Sequence, residues 1–130
     1  MRYILTCLLL AGCGSIHQEP PTPSVSLKPY KLSASEEPIY QQWIRRGLRD
    51  PQSAQFSEVV AGKDERGQVL ICGNVNSKNG FGGYAGRVPF FAYLHTNGPN
   101  VGYGEMAGNS FTTSYVERLC SNAGLQFIPM

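Results

Sequence analysis

The apolar positions change period several times along this chain, and each change predicts an element. A continuous apolar run, residues 3–10, opens on Arg2 and gives way to residues 14–34, where large apolar side chains are sparse. Tyr40, Trp43, Ile44, Gly47 and Leu48 then recur at i, i+3, i+4, i+7 and i+8, the spacing of one helical face. Ser35 followed by Glu36, Glu37 and Pro38 predicts the start of that helix. A hydroxyl caps free N–H groups, carboxylates suit a helix N-terminus, and proline fits the first turn. Arg45, Arg46 and Arg49 fall in the last turns, where cations complement the dipole and are read as solvated helix-end charges.

Beyond Asp50 and Pro51, which are suited to cap and open a second short turn, the period shifts towards two. Residues 56–61 and 68–75 are expected to form a β-hairpin around a polar turn with Gly62, Asp64 and Gly67. Residues 88–96 and 101–106 predict a second hairpin, turned by Asn97, Gly98, Pro99 and Asn100. Between the hairpins lies a glycine-rich loop, residues 73–86, whose composition implies positive φ or close backbone approach. Ser114 and Glu117 suggest a capping box for a last helix, with Val116, Leu119, Cys120 and Ala123 on its inner face and Gly124 closing it. An apolar tail, residues 125–130, is expected along the sheet edge. The expected fold class is α+β: a small antiparallel sheet of about four strands flanked by an N-terminal and a C-terminal helix.

Leu10, Ala11, Gly12 and Cys13 end the first apolar run, and together with Arg2 they resemble the signal peptide and lipobox of bacterial lipoproteins. The run is too short to span a bilayer, which takes about 20 helical residues. The resemblance implies cleavage after residue 12, diacylglycerol on the Cys13 sulfur and acylation of its freed amine, so the mature protein would be stably membrane-held. Gly14, where an aspartate would retain a lipoprotein in the inner membrane, implies the outer membrane, with the periplasmic side favoured over the cell surface.

On that reading Cys7 leaves with the signal and Cys13 carries lipid, so Cys72 and Cys120 remain as a pair expected to be disulfide-bonded in an oxidising periplasm. The bond would pin the last helix onto the sheet. A zinc site is the poorer alternative, because there is no CxxC spacing and the chain has only His17 and His95 besides. Of 130 residues, 118 remain after a cut at residue 12, one domain's worth. Loss of Arg2 leaves ten basic residues against nine acidic ones, a balance that implies no nucleic-acid partner. Residues 13–34 carry Pro20, Pro21, Pro23 and Pro29 among serines and threonine and read as a tether, with His17 a solvated bystander. Residues 35–130 form the single folded domain.

Candidate chemistry is sparse. Gly80, Gly82 and Ala85 fit a GxGxxA dinucleotide fingerprint, but a β run follows where a helix N-terminus is required. Ser110, His95 and Glu105 are nominally a relay, without supporting spacing. Glu58, Asp64, Glu65 and Glu105 read as solvated charges rather than a glycosidase pair. Phe90, Phe91, Tyr93 and Tyr103 are expected to be mostly core. No catalytic residue, metal or cofactor is expected. The glycine-rich loop has two readings: a structural turn, or a partner-binding loop displaying Lys78, Asn79, Phe81, Tyr84 and Arg87.

The segments LRDPQSAQF and CGNVNSKNGFGGYAGRVPF resemble a small recurrent domain of bacterial and phage proteins that carries no assigned activity. The combined expectation is a non-enzymatic envelope interaction module meeting a protein or cell-wall partner. The alternative is a periplasmic inhibitor of a lytic enzyme, because small disulfide-bonded lipoproteins that block lysozyme have a similar build.

Overall fold

The computed structural model describes residues 27–95 and 100–126. The expected lipobox with Cys13, the expected tether up to Ser26, the expected turn residues 96–99 and the last four residues of the expected tail lie outside the described residues. In chain order the elements are β1 (Lys28–Pro29), α1 (Glu37–Arg45), a 3-10 turn (Pro51–Ser53), β2 (Gln55–Lys63), β3 (Val69–Lys78), β4 (Tyr84–Leu94), β5 (Val101–Met106) and α2 (Ser110–Asn122). The strands form one antiparallel sheet in the order β1-β2-β3-β4-β5.

Successive side chains of a strand face opposite sides, and here each side is covered. Val69, Ile71 and Val75 of β3, with Phe90, Ala92 and Leu94 of β4, pack with Tyr40 and Ile44 of α1. Leu70, Cys72 and Phe91 turn the other way, against Val116 and Cys120 of α2 and Leu125. Double coverage is why residues 69–75 are buried without a break. Tyr40, Phe56 and Phe90 meet with ring centroids 5.6 to 5.8 Å apart and hold α1 to the sheet. On the opposite face the Cys72–Cys120 disulfide joins β3 to α2 across a Cα–Cα distance of 6.2 Å, with both residues fully buried.

An antiparallel sheet, two helices and this disulfide agree with the sequence reading at that coarse level; the finer expectations need five corrections. The sheet has five strands, not four, because Lys28 and Pro29 pair with Lys63 and Gly62. Proline is tolerated there because an edge strand needs no outward N–H. The two expected hairpins are one continuous meander, since β3 pairs with β4 from Val69↔Leu94 to Lys78↔Tyr84. Most of the presumed glycine-rich loop is therefore strand, with only residues 79–83 outside it; glycines and asparagines hid the two-residue period.

The caps also move. Ser33, not Ser35, organises the approach to α1: its N–H and Oγ both donate to Glu36 Oε2 at 2.8 Å, and its carbonyl accepts from the N–H groups of Glu36 and Glu37. α2 begins one turn before the expected box, because Asn109 and Thr112 cap each other reciprocally. Ser114 instead donates its Oγ to the Ser110 carbonyl inside the helix. α1 ends at Arg45, so Arg46 and Arg49 follow it rather than closing it.

Candidate functional site

The end of the β3–β4 hairpin is built from its residues outward as a locked turn. Asn79 accepts the N–H groups of Phe81 at 2.9 Å and Gly83 at 3.3 Å through Oδ1, while its own N–H donates to Gly83 O at 2.7 Å. Gly82 sits at φ +83° with open space around any added Cβ, so backbone conformation alone calls for glycine. One step inward, Gly86 N–H donates to Asn76 Oδ1 at 3.1 Å beside the register shift between Asn76 and Lys78. Lys78 N–H donates to Ser53 Oγ at 2.8 Å and ties the hairpin to the 3-10 turn that Asp50 caps.

These bonds display a defined set of side chains. Phe81 is fully exposed at the apex, and Tyr84 is exposed over 45% of its surface. Gln55 Nε2 donates to the Tyr84 hydroxyl at 3.1 Å, and Lys78 Nζ stands 5.8 Å from the centre of its ring. Arg49 lies against the turn, its Nη1 3.0 Å from where a Cβ on Gly80 would be. Arg87 is occupied: its Nη1 pairs with Glu58 Oε1 at 2.6 Å. Glu58 also accepts from buried Asn74 Nδ2 at 2.5 Å, and it occupies φ +52° where β2 shifts register between Ser57 and Val60.

Lys78, Asn79, Phe81, Tyr84 and Arg87 are thus brought to one end of the hairpin, but with different roles. Asn79 is the internal brace, Arg87 is neutralised, and the displayed groups are Phe81, Tyr84 and Lys78. Sequence reasoning reads Arg49 and Glu58 only as solvated charges and gives Ser53 and Gln55 no site role; all four reach the hairpin, from the α1–β2 connection and from β2. For Ser53 and Gln55 the sequence trace is the short 50–55 segment capped by Asp50, which folds against β3.

A second exposed surface lies on the α2 side. Phe91 forms a floor on which three tyrosines gather, with ring centroids at 5.8 Å for Tyr93, 5.5 Å for Tyr103 and 6.1 Å for Tyr115. Tyr103 and Tyr115 are 52% and 40% exposed, and Phe111, one helical turn before Tyr115, is 75% exposed. Of the aromatics expected to be core, Phe90 and Phe91 are buried and Tyr103 is not. The Tyr103 hydroxyl donates to Glu105 Oε2 at 3.0 Å, which with the carboxylate charge holds its pKa above the usual phenol value. Burial, then the neighbouring Tyr115, raises that of Tyr93.

The remaining candidates do not assemble. His95 is exposed at the end of β4, stacked over Gly102, whereas Glu105 bonds Tyr103 and Ser110 opens α2 beyond the other end of β5. Asp64 accepts Gln68 N–H in the β2–β3 turn, remote from Glu58 in the strand bulge. Gly80 and Gly82 lie in the hairpin turn and Ala85 in β4, with no helix N-terminus after them. Among the described residues no group of three His, Cys, Asp or Glu side chains converges as metal ligands. A cleft of 290 Å³ opens between the end of α1 and β5, lined by Trp43, Arg46, Gly104 and Met106 among others. Trp43 Nε1 donates to Gly104 O across it at 3.3 Å.

The chain matches no protein-family profile, no curated protein and no solved structure.

Proposed function

We propose that this protein is a lipid-anchored, non-enzymatic interaction module of the bacterial envelope, held through Cys13 on the periplasmic side of the outer membrane. The hairpin tip meets a protein or cell-wall partner. The observation that carries this reading is Phe81: a fully exposed aromatic at the apex of a turn fixed by four hydrogen bonds through or onto Asn79. An exposed phenyl ring contributes little to folding, while a turn already rigid loses little entropy on binding. Lys78 and Arg49 beside it favour an acidic surface around an apolar pocket.

The placement of the tip supports the same reading. β1 starts beside Lys63 and Val69, at the end of the sheet opposite the tip. Ten residues of β3 separate the two ends, about 30 Å at a strand's rise per residue. A chain anchored through its N-terminus therefore attaches to one pole and presents Phe81 at the other. A narrow, protruding, cationic hairpin also suits the plugging of an enzyme cleft, so inhibition of a lytic enzyme is the second reading.

A photo-crosslinking residue at position 81, compared with one at Glu65 in the opposite turn, tests the site in intact envelopes. A discrete adduct from position 81 only is expected; adducts from Glu65 only would refute the tip. Fatty-acid labelling lost in Cys13→Ser tests the anchor. Lysozyme assayed with micromolar protein decides the second reading, which absence of protection would remove.

A further inference from the structure

We infer that the outer side of β5 and the tyrosine shelf beside it dock a second copy of this chain, through antiparallel pairing of the two β5 strands about Gly104. The inference does not depend on lipidation of Cys13 or on the hairpin tip.

The backbone decides which groups are free to pair. Ala107 N–H donates to Pro89 O at 2.9 Å, so at this end the two strands face each other as a hydrogen-bonded pair. At steps of two along the register, Glu105 opposite Phe91 and Tyr103 opposite Tyr93 also turn their N–H and C=O groups to β4. Gly104 and Met106 alternate with them and turn theirs outward. Trp43 Nε1 reaches the Gly104 carbonyl at 3.3 Å, in keeping with that direction. A carbonyl has two lone pairs, so the indole leaves one for an added strand.

One register brings complementary side chains together. A two-fold axis at Gly104 sets the two copies of this glycine opposite each other and each Tyr103 opposite Glu105 of the second copy. Directly opposed residues of such a pair stand about 4.5 Å apart at Cα. The Tyr103 hydroxyl donates to Glu105 Oε2 at 3.0 Å within one chain, and in the pair the two copies can exchange this bond. An axis at Glu105 would oppose two carboxylates, which is destabilising. An axis at Tyr103 would set Glu105 opposite Val101, with no polar partner.

The shelf supplies the apolar half of the contact. Phe111 and Tyr115 are four residues apart on one side of α2, and Tyr115 and Tyr103 both lie against Phe91, so these rings flank β5. All three are well exposed. α2 itself packs over β4, through Val116 and Cys120 beside Phe91. Pairing through β5 would place the two β4 strands three spacings apart, about 14 Å. Packed helices approach to about 8–10 Å, so the two α2 helices are left about 5 Å short of contact. The rings of Tyr103, Phe111 and Tyr115 from each copy fill that gap.

The test is sedimentation equilibrium on the full-length chain in density-matched micelles, which should show a monomer–dimer equilibrium. Trp43, the one tryptophan of the chain, lies 3.1 Å from where a Cβ on Gly104 would be, so its emission should change over the same concentration range. Phe111→Asp should weaken the dimer by about tenfold or more while leaving the thermal melt unchanged, because Phe111 is exposed in the single chain. Tyr103→Cys copies mixed with Glu105→Cys copies should cross-link faster than either variant alone, since opposed residues fall within the Cα separation that a disulfide spans. A monomer at every concentration, a dimer indifferent to Phe111→Asp, or faster cross-linking within either cysteine variant than in the mixture would overturn the proposal.

Discussion

Glu36 shows how one side chain ties the segment after β1 to the start of α1. Burial pushes its carboxyl pKa up, but hydrogen bonds from Ser33 N–H, Ser33 Oγ and the Tyr30 hydroxyl, with Lys63 nearby, outweigh it and leave the value lowered. A group depressed in the folded state stabilises the fold fully above its ordinary value, about 4.3. That contribution is lost as pH falls through the lower folded value. Thermal unfolding followed from neutral pH downwards should show an acid limb that Glu36→Gln flattens. Phe81 predicts the opposite kind of result: with no burial to lose, Phe81→Ala should change unfolding free energy by less than about 0.5 kcal/mol while abolishing partner capture. Denaturant melts beside a capture assay separate the two effects. Glu58 is the one described non-glycine residue at positive φ, a conformation costing about 1–2 kcal/mol. Its carboxylate, shared by Asn74 and Arg87, holds the bulged strand to the root of the hairpin.

At the scale of elements, α2 depends on its covalent tie. Val116 and Cys120 are its fully buried residues, and the disulfide closes 48 residues of separation. The chain-entropy relation puts that closure at about 4 kcal/mol, so a Cys72→Ala/Cys120→Ala variant should lose up to this amount in a denaturant titration. Both helices' inner positions were legible because a 3.6-residue period survives a few polar substitutions: Tyr40, Ile44, Val116 and Cys120 are all buried. The helix starts were less so, since Ser33, Ser35, Asn109 and Ser114 offer competing caps and tertiary packing selects among them. The β3–β4 hairpin reads as a loop in the sequence because its outer half has little apolar alternation to display. Asn76 and Gly86 meet there by side chain to backbone, a contact that periodicity does not encode. Of the site, Lys78, Asn79, Phe81 and Tyr84 could be read from their setting among glycines. Arg49, Ser53 and Gln55 could not, because long-range folding brings them there.

For the whole molecule, the two edges of the sheet are unequal. β1 is two residues long and contains Pro29, whereas β5 offers six residues with Gly102 and Gly104 and no proline or lysine. Edges are where sheets of separate molecules join. Continuous strand-to-strand growth needs two usable edges on every copy, and here the β1 side terminates it. Copies that met edge to edge through β5 would form a self-complementary pair and stop at two. One short proline-bearing strand thus sets a limit on the protein's own polymerisation.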